Sequence, residues 1–194
     1  MLPWRYDGTH GMSDTLIIRD VRPEECAALG QLLVDVYARL EGFPSPQEQP
    51  RYYAMLADIG DFATKKDARV LVALDADGTL LGGVVYFGDM AQYGSGGTAT
   101  SVTDAAGMRL LGVSPVARGK GVGRRLTEAC IAAARVQGHA RIVLHTTEAM
   151  RQAWEMYERL GFRPAHELDF MQGALPVFGF SLALRDGERD TSSP

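Results

Sequence analysis

The spacing of apolar residues along this chain changes several times, and each change marks a new element. Leu16, Ile17 and Ile18 form a short β-rich run. Beyond Pro23, whose missing amide proton suits a first helical turn, Leu29, Leu32, Leu33, Val36 and Tyr37 recur at helical spacing and predict an amphipathic helix. Gly42, Pro44, Pro46 and Pro50 interrupt it, and Tyr52, Tyr53, Met55, Leu56 and Ile59 predict a second helix. The β-rich runs 69–74 and 80–87 flank Asp75-Ala76-Asp77-Gly78-Thr79, a turn signal that joins them in an antiparallel hairpin. Residues 92–100, with three glycines among small hydroxyl residues, are expected to form a mobile loop, whereas 108–113 reads as a buried strand.

The apolar stripe of Val122, Leu126, Cys130, Ile131 and Ala134 predicts a third helix, followed by a turn at Gln137-Gly138 and a strand over 141–146. A helix of that length between two strands suits the crossover of a parallel pair. The carboxyl ends of both strands, at Val113 and Thr146, then open on one edge of the sheet. Ala153, Trp154, Met156, Tyr157 and Leu160 mark a fourth helix that stops at Gly161; an extended segment starts at Phe162 and a last strand follows from Val177. The expected fold is α/β, a mixed sheet covered by helices, in a single domain over 15–185. A loose arm is expected at 1–14 and a frayed tail at 186–194.

A chain of 194 residues accommodates one compact core more readily than two. With 46% apolar and 23% charged residues its composition is globular, which argues against disorder or a fibrous body. A formal charge of −4 supplies no general attraction for nucleic acid or an acidic membrane, so neither is expected as a partner. No apolar run reaches the roughly 20 residues that span a bilayer, and the first residues lack an apolar signal core. Cys26 and Cys130 lie far apart in helical stretches, which fits a reducing, cytoplasmic location. No His, Cys or Asp group has metal-ligand spacing, and no metal is expected.

Candidate chemistry concentrates in 110–126, Leu-Leu-Gly-Val-Ser-Pro-Val-Ala-Arg-Gly-Lys-Gly-Val-Gly-Arg-Arg-Leu. A strand runs into a turn whose Gly119, Gly121 and Gly123 let successive amides approach a ligand. The turn ends at a helix start, where unpaired amides and the positive helix end attract anions. Arg118, Lys120, Arg124 and Arg125 add charge, so the segment suits a pyrophosphate. It lacks the Gly-Lys-Ser/Thr ending of an ATP loop and the Gly-x-Gly-x-x-Gly spacing of a dinucleotide loop. The plainer alternative is a tight turn with its basic side chains in solvent.

Together with Tyr157-Glu158-Arg159-Leu160-Gly161-Phe162, this segment resembles the GNAT superfamily of acyl-CoA-dependent N-acetyltransferases. The resemblance spans roughly 17–184 and is sharpest over 110–162. It implies a mostly antiparallel central sheet with a splayed parallel pair, flanked by helices, and acetyl coenzyme A as acyl donor. The family pattern Arg/Gln-x-x-Gly-x-Gly/Ala wraps the coenzyme A pyrophosphate and matches Arg118, Gly121 and Gly123; with Gly119, Lys120, Val122 and Arg124 these residues would hold the donor. By the same likeness the backbone of Leu111 and Val113 would pair with the pantetheine arm. The family's Tyr-x-x-Leu-Gly-Phe block matches Tyr157, Leu160, Gly161 and Phe162 and implies Tyr157 as general acid toward the leaving thiolate. An unperturbed phenol keeps its proton at neutral pH, as that role requires. Packing beside Trp154, Met156 and Leu160 is the alternative role.

Two positions depart from the family pattern. Met150 stands seven residues before Tyr157, where many members carry Asn, and Gly107 stands where many carry a glutamate that draws off the amine proton. The general base is therefore open. His145, by the end of its strand, is the leading candidate by intrinsic pKa; Glu148 and Asp104 are weaker, as carboxylates of a helix start and a loop. Cys130 lies inside an apolar stripe, which argues against an acyl-cysteine route. The expected activity is direct acetyl transfer to a primary amine of a small molecule or of a protein. A non-catalytic acyl-CoA-binding regulatory domain is the alternative, kept open by Met150 and Gly107. A homodimer is compatible with the sequence.

Overall fold

The computed structural model describes residues 16–185; the arm expected at 1–14 and the tail at 186–194 lie outside the described residues. Strand β1 (Ile17–Asp20) leads through a short 3-10 turn into helix α1 (Cys26–Ala38), and α2 (Pro50–Ala57) follows the proline-rich connection. Next come β2 (Ala68–Leu74), β3 (Leu80–Phe87), β4 (Ala105–Val113), α3 (Val122–Val136) and β5 (Arg141–Thr146). Helix α4 (Arg151–Arg159) precedes β6 (Arg163–Pro164), β7 (Phe170–Gln172) and β8 (Leu175–Ala183). Strand β6 falls in the extended segment expected from Phe162, whereas β7 is too short to carry a period and is not among the expected elements.

The sheet runs in the order β1-β2-β3-β4-β5-β8-β6, with β7 paired to β8. Every pairing is antiparallel except that of β4 with β5. This is the expected mixed sheet, and α3 makes the crossover that a parallel pair needs. Strand β2 is buried on both faces. Val70, Val72 and Leu74 meet Leu29 and Leu33 of α1 and Leu56 of α2, whereas Leu71 and Ala73 meet the layer containing Leu126 and Cys130 of α3. Two covered faces leave no polar side to alternate, which is why this strand reads as a continuous apolar run.

Local polar contacts fix how the first elements meet. Arg19 donates to both carboxylate oxygens of Glu25, at 2.8 and 2.6 Å, and the Arg22 amide adds a bond at 2.9 Å. The Arg19 hydrogen bond is the main reason that the Glu25 carboxyl is held down to about 2. Because the folded value lies below the ordinary 4.5, this contribution is present above pH 4.5 and is lost as pH falls toward 2.

Strand β4 is irregular where the site will form. Leu110 has φ of 58°, left-handed backbone that a leucine rarely adopts, and the register against β3 slips between Gly83 and Val85. Pairing with β5 runs from Ala105 opposite Arg141 to Met108 opposite Leu144 and stops there. Beyond that point the strands part, and residues 109–113 have no strand partner on the β5 side.

Helix α1 carries Gly30 where α2 ends, and a Cβ there would overlap the carbonyl of Ala57. In an exposed helix Gly→Ala stabilises; here the sign reverses, because the backbone in its way cannot rotate aside. Gly30→Ala is expected to lower unfolding stability by about 1–3 kcal/mol in denaturant titration. A stabilised variant would mean that α1 and α2 do not pack this closely.

Candidate active site

Where β4 and β5 part, a cleft of about 1110 Å³ opens between β4, the end of α1, the turn before α3, and α4. At one end Gly119 and Gly121 both have φ of 77°, and a Cβ on either would meet nothing within 4 Å. Backbone conformation demands glycine at these two positions, and the space beside them stays open. Helix α3 has no side-chain cap; its first intrahelical bond runs from the Arg125 amide to the Gly121 carbonyl at 3.0 Å. The amides before Arg125 thus lack intrahelical acceptors and face outward with the positive end of the helix. Val122 is buried and pins this turn to the core, so it offers a ligand its backbone rather than its side chain. The donor set fits pyrophosphate oxygens.

Of the residues singled out from the sequence, Leu111, Val113, Arg118, Gly119, Gly121, Val122, Gly123, Arg124, His145 and Tyr157 all line this one cleft. Lys120 sits exposed on the turn and does not line it, and Arg124 is paired with Glu128 at 2.8 Å. Asp104 lies at the opposite end of β4, paired with Arg185 at 3.1 Å, and Glu148 is exposed. The Cys130 thiol is fully buried and pushed up to about 12 by that burial, which leaves it neither reachable nor ionised.

Tyr157 projects from α4 with its ring edge-on to Phe162 at 5.7 Å. Its hydroxyl has no hydrogen-bond partner among the described residues, and burial raises the phenol above its ordinary value of 10.0. It therefore holds a proton at neutral pH. Met150, seven residues earlier, also lines the cleft and supplies an apolar wall.

Gly107 has a structural reason. A Cβ there would collide with the ring of Tyr93, which is wholly buried against the strand. The Tyr93 hydroxyl lies 2.9 Å from His145 Nδ1 and 3.5 Å from the Met108 carbonyl, and His145 Nε2 lies 2.9 Å from the Leu168 carbonyl. A carbonyl only accepts, so Nε2 carries the ring proton and Nδ1 accepts from Tyr93. Burial is the main cause that lowers His145 below 6.5, and the ring is neutral at pH 7. The segment 92–100, expected to be mobile, is packed at this point: Gly96 and Gly97, with φ of 99° and 60°, lie against the ring of Phe170. Its glycines serve close approach as well as chain freedom.

A second cavity of about 590 Å³ lies on the α1/α2 side, bordered by Glu48–Tyr52, Met55, Ser95, Arg109 and Gln172. Arg109 lines both cavities. It donates to the Tyr93 carbonyl at 2.6 Å, while Tyr37 donates to the Leu111 carbonyl at 3.3 Å. Sequence reasoning gave Arg109, Tyr37 and Tyr52 no role at the site, whereas Ser95 lies in the segment 92–100 that it read as a loop able to admit an acceptor. The available signal was a lone charge in the otherwise apolar run 108–113.

Among the described residues no group of three or more His, Cys, Asp or Glu side chains could hold a metal ion, and no helix is long and apolar enough to cross a membrane. Residues 28–162 match the model of the acetyltransferase (GNAT) family. No curated protein matches the sequence significantly. Among solved structures, a GCN5-related N-acetyltransferase from Kribbella flavida is 23% identical, with TM-score 0.63 over 87% of this chain and 98% of its own. The yncA protein of Salmonella typhimurium, solved with its cofactor acetyl-CoA, is 18% identical, with TM-score 0.62 over 92% and 99%. Spermidine N-acetyltransferase from Vibrio cholerae, in complex with CoA and spermine, is 19% identical, with TM-score 0.58 over 87% and 95%.

His145 supplies a test of the buried network. Its folded pKa is depressed, so its contribution is complete above 6.5 and is lost as pH falls, because the unfolded chain takes up the proton first. Wild-type stability should therefore decline below pH 6.5 more steeply than that of His145→Gln in thermal unfolding. Equal slopes would place the imidazole in contact with solvent.

Proposed function

Since the chain belongs to the acetyltransferase (GNAT) family, we propose that it moves an acetyl group from acetyl coenzyme A to a primary amine by direct attack. The observation that carries this reading is the continuity of one cleft from the uncapped start of α3 to the Tyr157 hydroxyl. Arg118 and the backbone of 119–124 hold the pyrophosphate, and the unpaired edge of β4 at Leu111 and Val113 accepts an extended amide-bearing arm as a further strand would be accepted. Acetyl coenzyme A supplies the activated acyl thioester; in the transfer a C–N bond replaces a C–S bond, nitrogen loses a proton and sulfur gains one.

The chain's own groups handle those two protons. Tyr157 holds one at its oxygen, with no acceptor for it among the described residues, and gives it to the departing sulfur. His145 takes the other. The Ser95 hydroxyl borders the second cavity and lies 3.4 Å from Nδ1, which offers a path from an amine bound there. The imidazole can gain this proton without losing a hydrogen bond: Nε2 keeps its bond to Leu168, and the Tyr93 hydroxyl turns its proton to the Met108 carbonyl and accepts from Nδ1. Ground-state neutrality makes His145 ready to act as a base.

Tyr157→Phe should reduce single-turnover acetyl transfer by about 10-fold to 10⁴-fold, with acetyl coenzyme A affinity and the unfolding transition almost unmoved. An unchanged chemical rate would remove Tyr157 as the acid. Gly121→Val forces a branched residue into φ of 77° and should weaken acetyl coenzyme A binding at least tenfold in calorimetry while the sheet keeps its stability. Unaltered affinity in the folded variant would remove the turn from the donor site. Binding without thiol release across a broad amine panel would favour the regulatory-domain reading instead.

A further inference from the structure

Among the described residues Arg109 has no counterion. The other part-buried arginines near β1 are each matched to a carboxylate: Arg19 grips Glu25, and Arg69 donates to both oxygens of Asp20 at 2.8 and 2.7 Å. Arg109, part-buried in the middle of β4, has no carboxylate within 4.0 Å among the described residues. A guanidinium carries five N–H groups, and the Tyr93 carbonyl takes one of them. The groups that feel its charge are Tyr37, Tyr52, Tyr93 and His145, all uncharged at neutral pH. Two carboxylates lie nearby but are engaged elsewhere. Glu48, on the rim of the second cavity, accepts from the Ser45 amide and hydroxyl at 2.7 Å each; Asp169 accepts from the Gly179 amide at 2.7 Å and pairs with His166 at 3.0 Å.

A charge held partly out of water without a carboxylate is costly, and its contacts with Tyr93, one hydrogen bond to the carbonyl and the ring face 5.5 Å away, leave the rest of the guanidinium edge unmatched. The cost is offset if the missing partner is a ligand. The bulge sets the direction. Arg109 pairs with Val85 and Leu110 packs in the α1/α2 layer, the side of the sheet where the second cavity lies, and both residues also line the first cleft. Arg51, in the first turn of α2, adds a second cation to that cavity. Its volume of about 590 Å³ suits a small metabolite.

From this placement we infer that the acceptor is a small amino acid type molecule, whose carboxylate is bound by Arg109 in the second cavity while its amino group reaches the point where β4 and β5 part. The inference rests on the acetyl-transfer reading above. A planar guanidinium with free paired N–H groups matches a carboxylate in a two-point contact. A di- or polyamine would instead set an ammonium against Arg109 and Arg51, and like charges repel.

The test measures thiol release from acetyl coenzyme A with a panel of α-amino acids, each paired with its decarboxylated amine and its carboxamide. For the wild type, kcat/KM for the acid is expected to exceed that of its decarboxylated partner by roughly tenfold to a hundredfold for at least one pair. Arg109→Gln should bring that ratio close to one, and Arg109→Lys, which keeps the charge but not the fork, should retain part of it. Thermal unfolding of both variants guards against a collapsed site; if Arg109→Gln does not fold, the Arg109→Lys ratio decides. A wild-type preference for the decarboxylated or polyamine acceptors, or a ratio untouched in the variants, overturns the inference while leaving acetyl transfer intact. Absence of acetyl coenzyme A binding in calorimetry overturns the acetyl-transfer reading itself; binding without turnover of any panel member overturns the acceptor assignment.

Discussion

The hydrogen-bond ladder between β4 and β5 ends at Met108 and Leu144, and the shape of both cavities follows from that ending. A regular parallel pair would have continued to Val113 and Thr146 and filled the cleft with backbone. Leu110 prevents it. Its left-handed backbone costs about 1–3 kcal/mol on general grounds, and the buried leucine side chain in the α1/α2 layer holds the chain there. Strain at one residue thus creates an edge of unpaired amides and carbonyls in the interior of the sheet.

The same bulge divides work between the two faces. On the α3/α4 side the cleft has the uncapped helix start, the left-handed glycines and Tyr157. On the α1/α2 side stand Tyr93, His145 and Arg109, joined by hydrogen bonds of 2.9 and 2.6 Å. Gly107 belongs to this second group through what it lacks: its bare backbone admits the Tyr93 ring, whose hydroxyl contacts the only histidine that lines either cavity among the described residues. The position that departs from the family pattern is therefore filled by the Tyr93 ring.

Elements with long periods were legible in the sequence. The stripe Val122, Leu126, Cys130, Ile131 and Ala134 is buried as its spacing requires, and the strand, glycine turn and helix from 108 to 136 adopt the expected order. What escaped depends on contacts between distant residues. Nothing in Leu110-Leu111 marks a left-handed residue, because leucine accepts that backbone only when surrounding packing imposes it. Tyr93 is hidden in a stretch rich in glycine and serine, where local composition speaks for a surface loop. Arg109 was visible as a charge in an apolar run, yet its separation from every carboxylate of the described residues is a property of the assembled chain. Strand β7 exists because β8 offers it a partner.

The unpaired stretch of β4 also bears on how this protein behaves in a crowded solution. Open strand edges are sites where one sheet adds to another and aggregates grow, and proteins commonly blunt them with charge or bulges. Here the unpaired edge is internal: β5 stands on one side, and the end of α1, the start of α3 and helix α4 stand around it. A neighbouring sheet, which needs a flat approach along several residues, is kept out by geometry. The fold can thus keep hydrogen-bonding capacity in reserve without turning it into a seed for self-association.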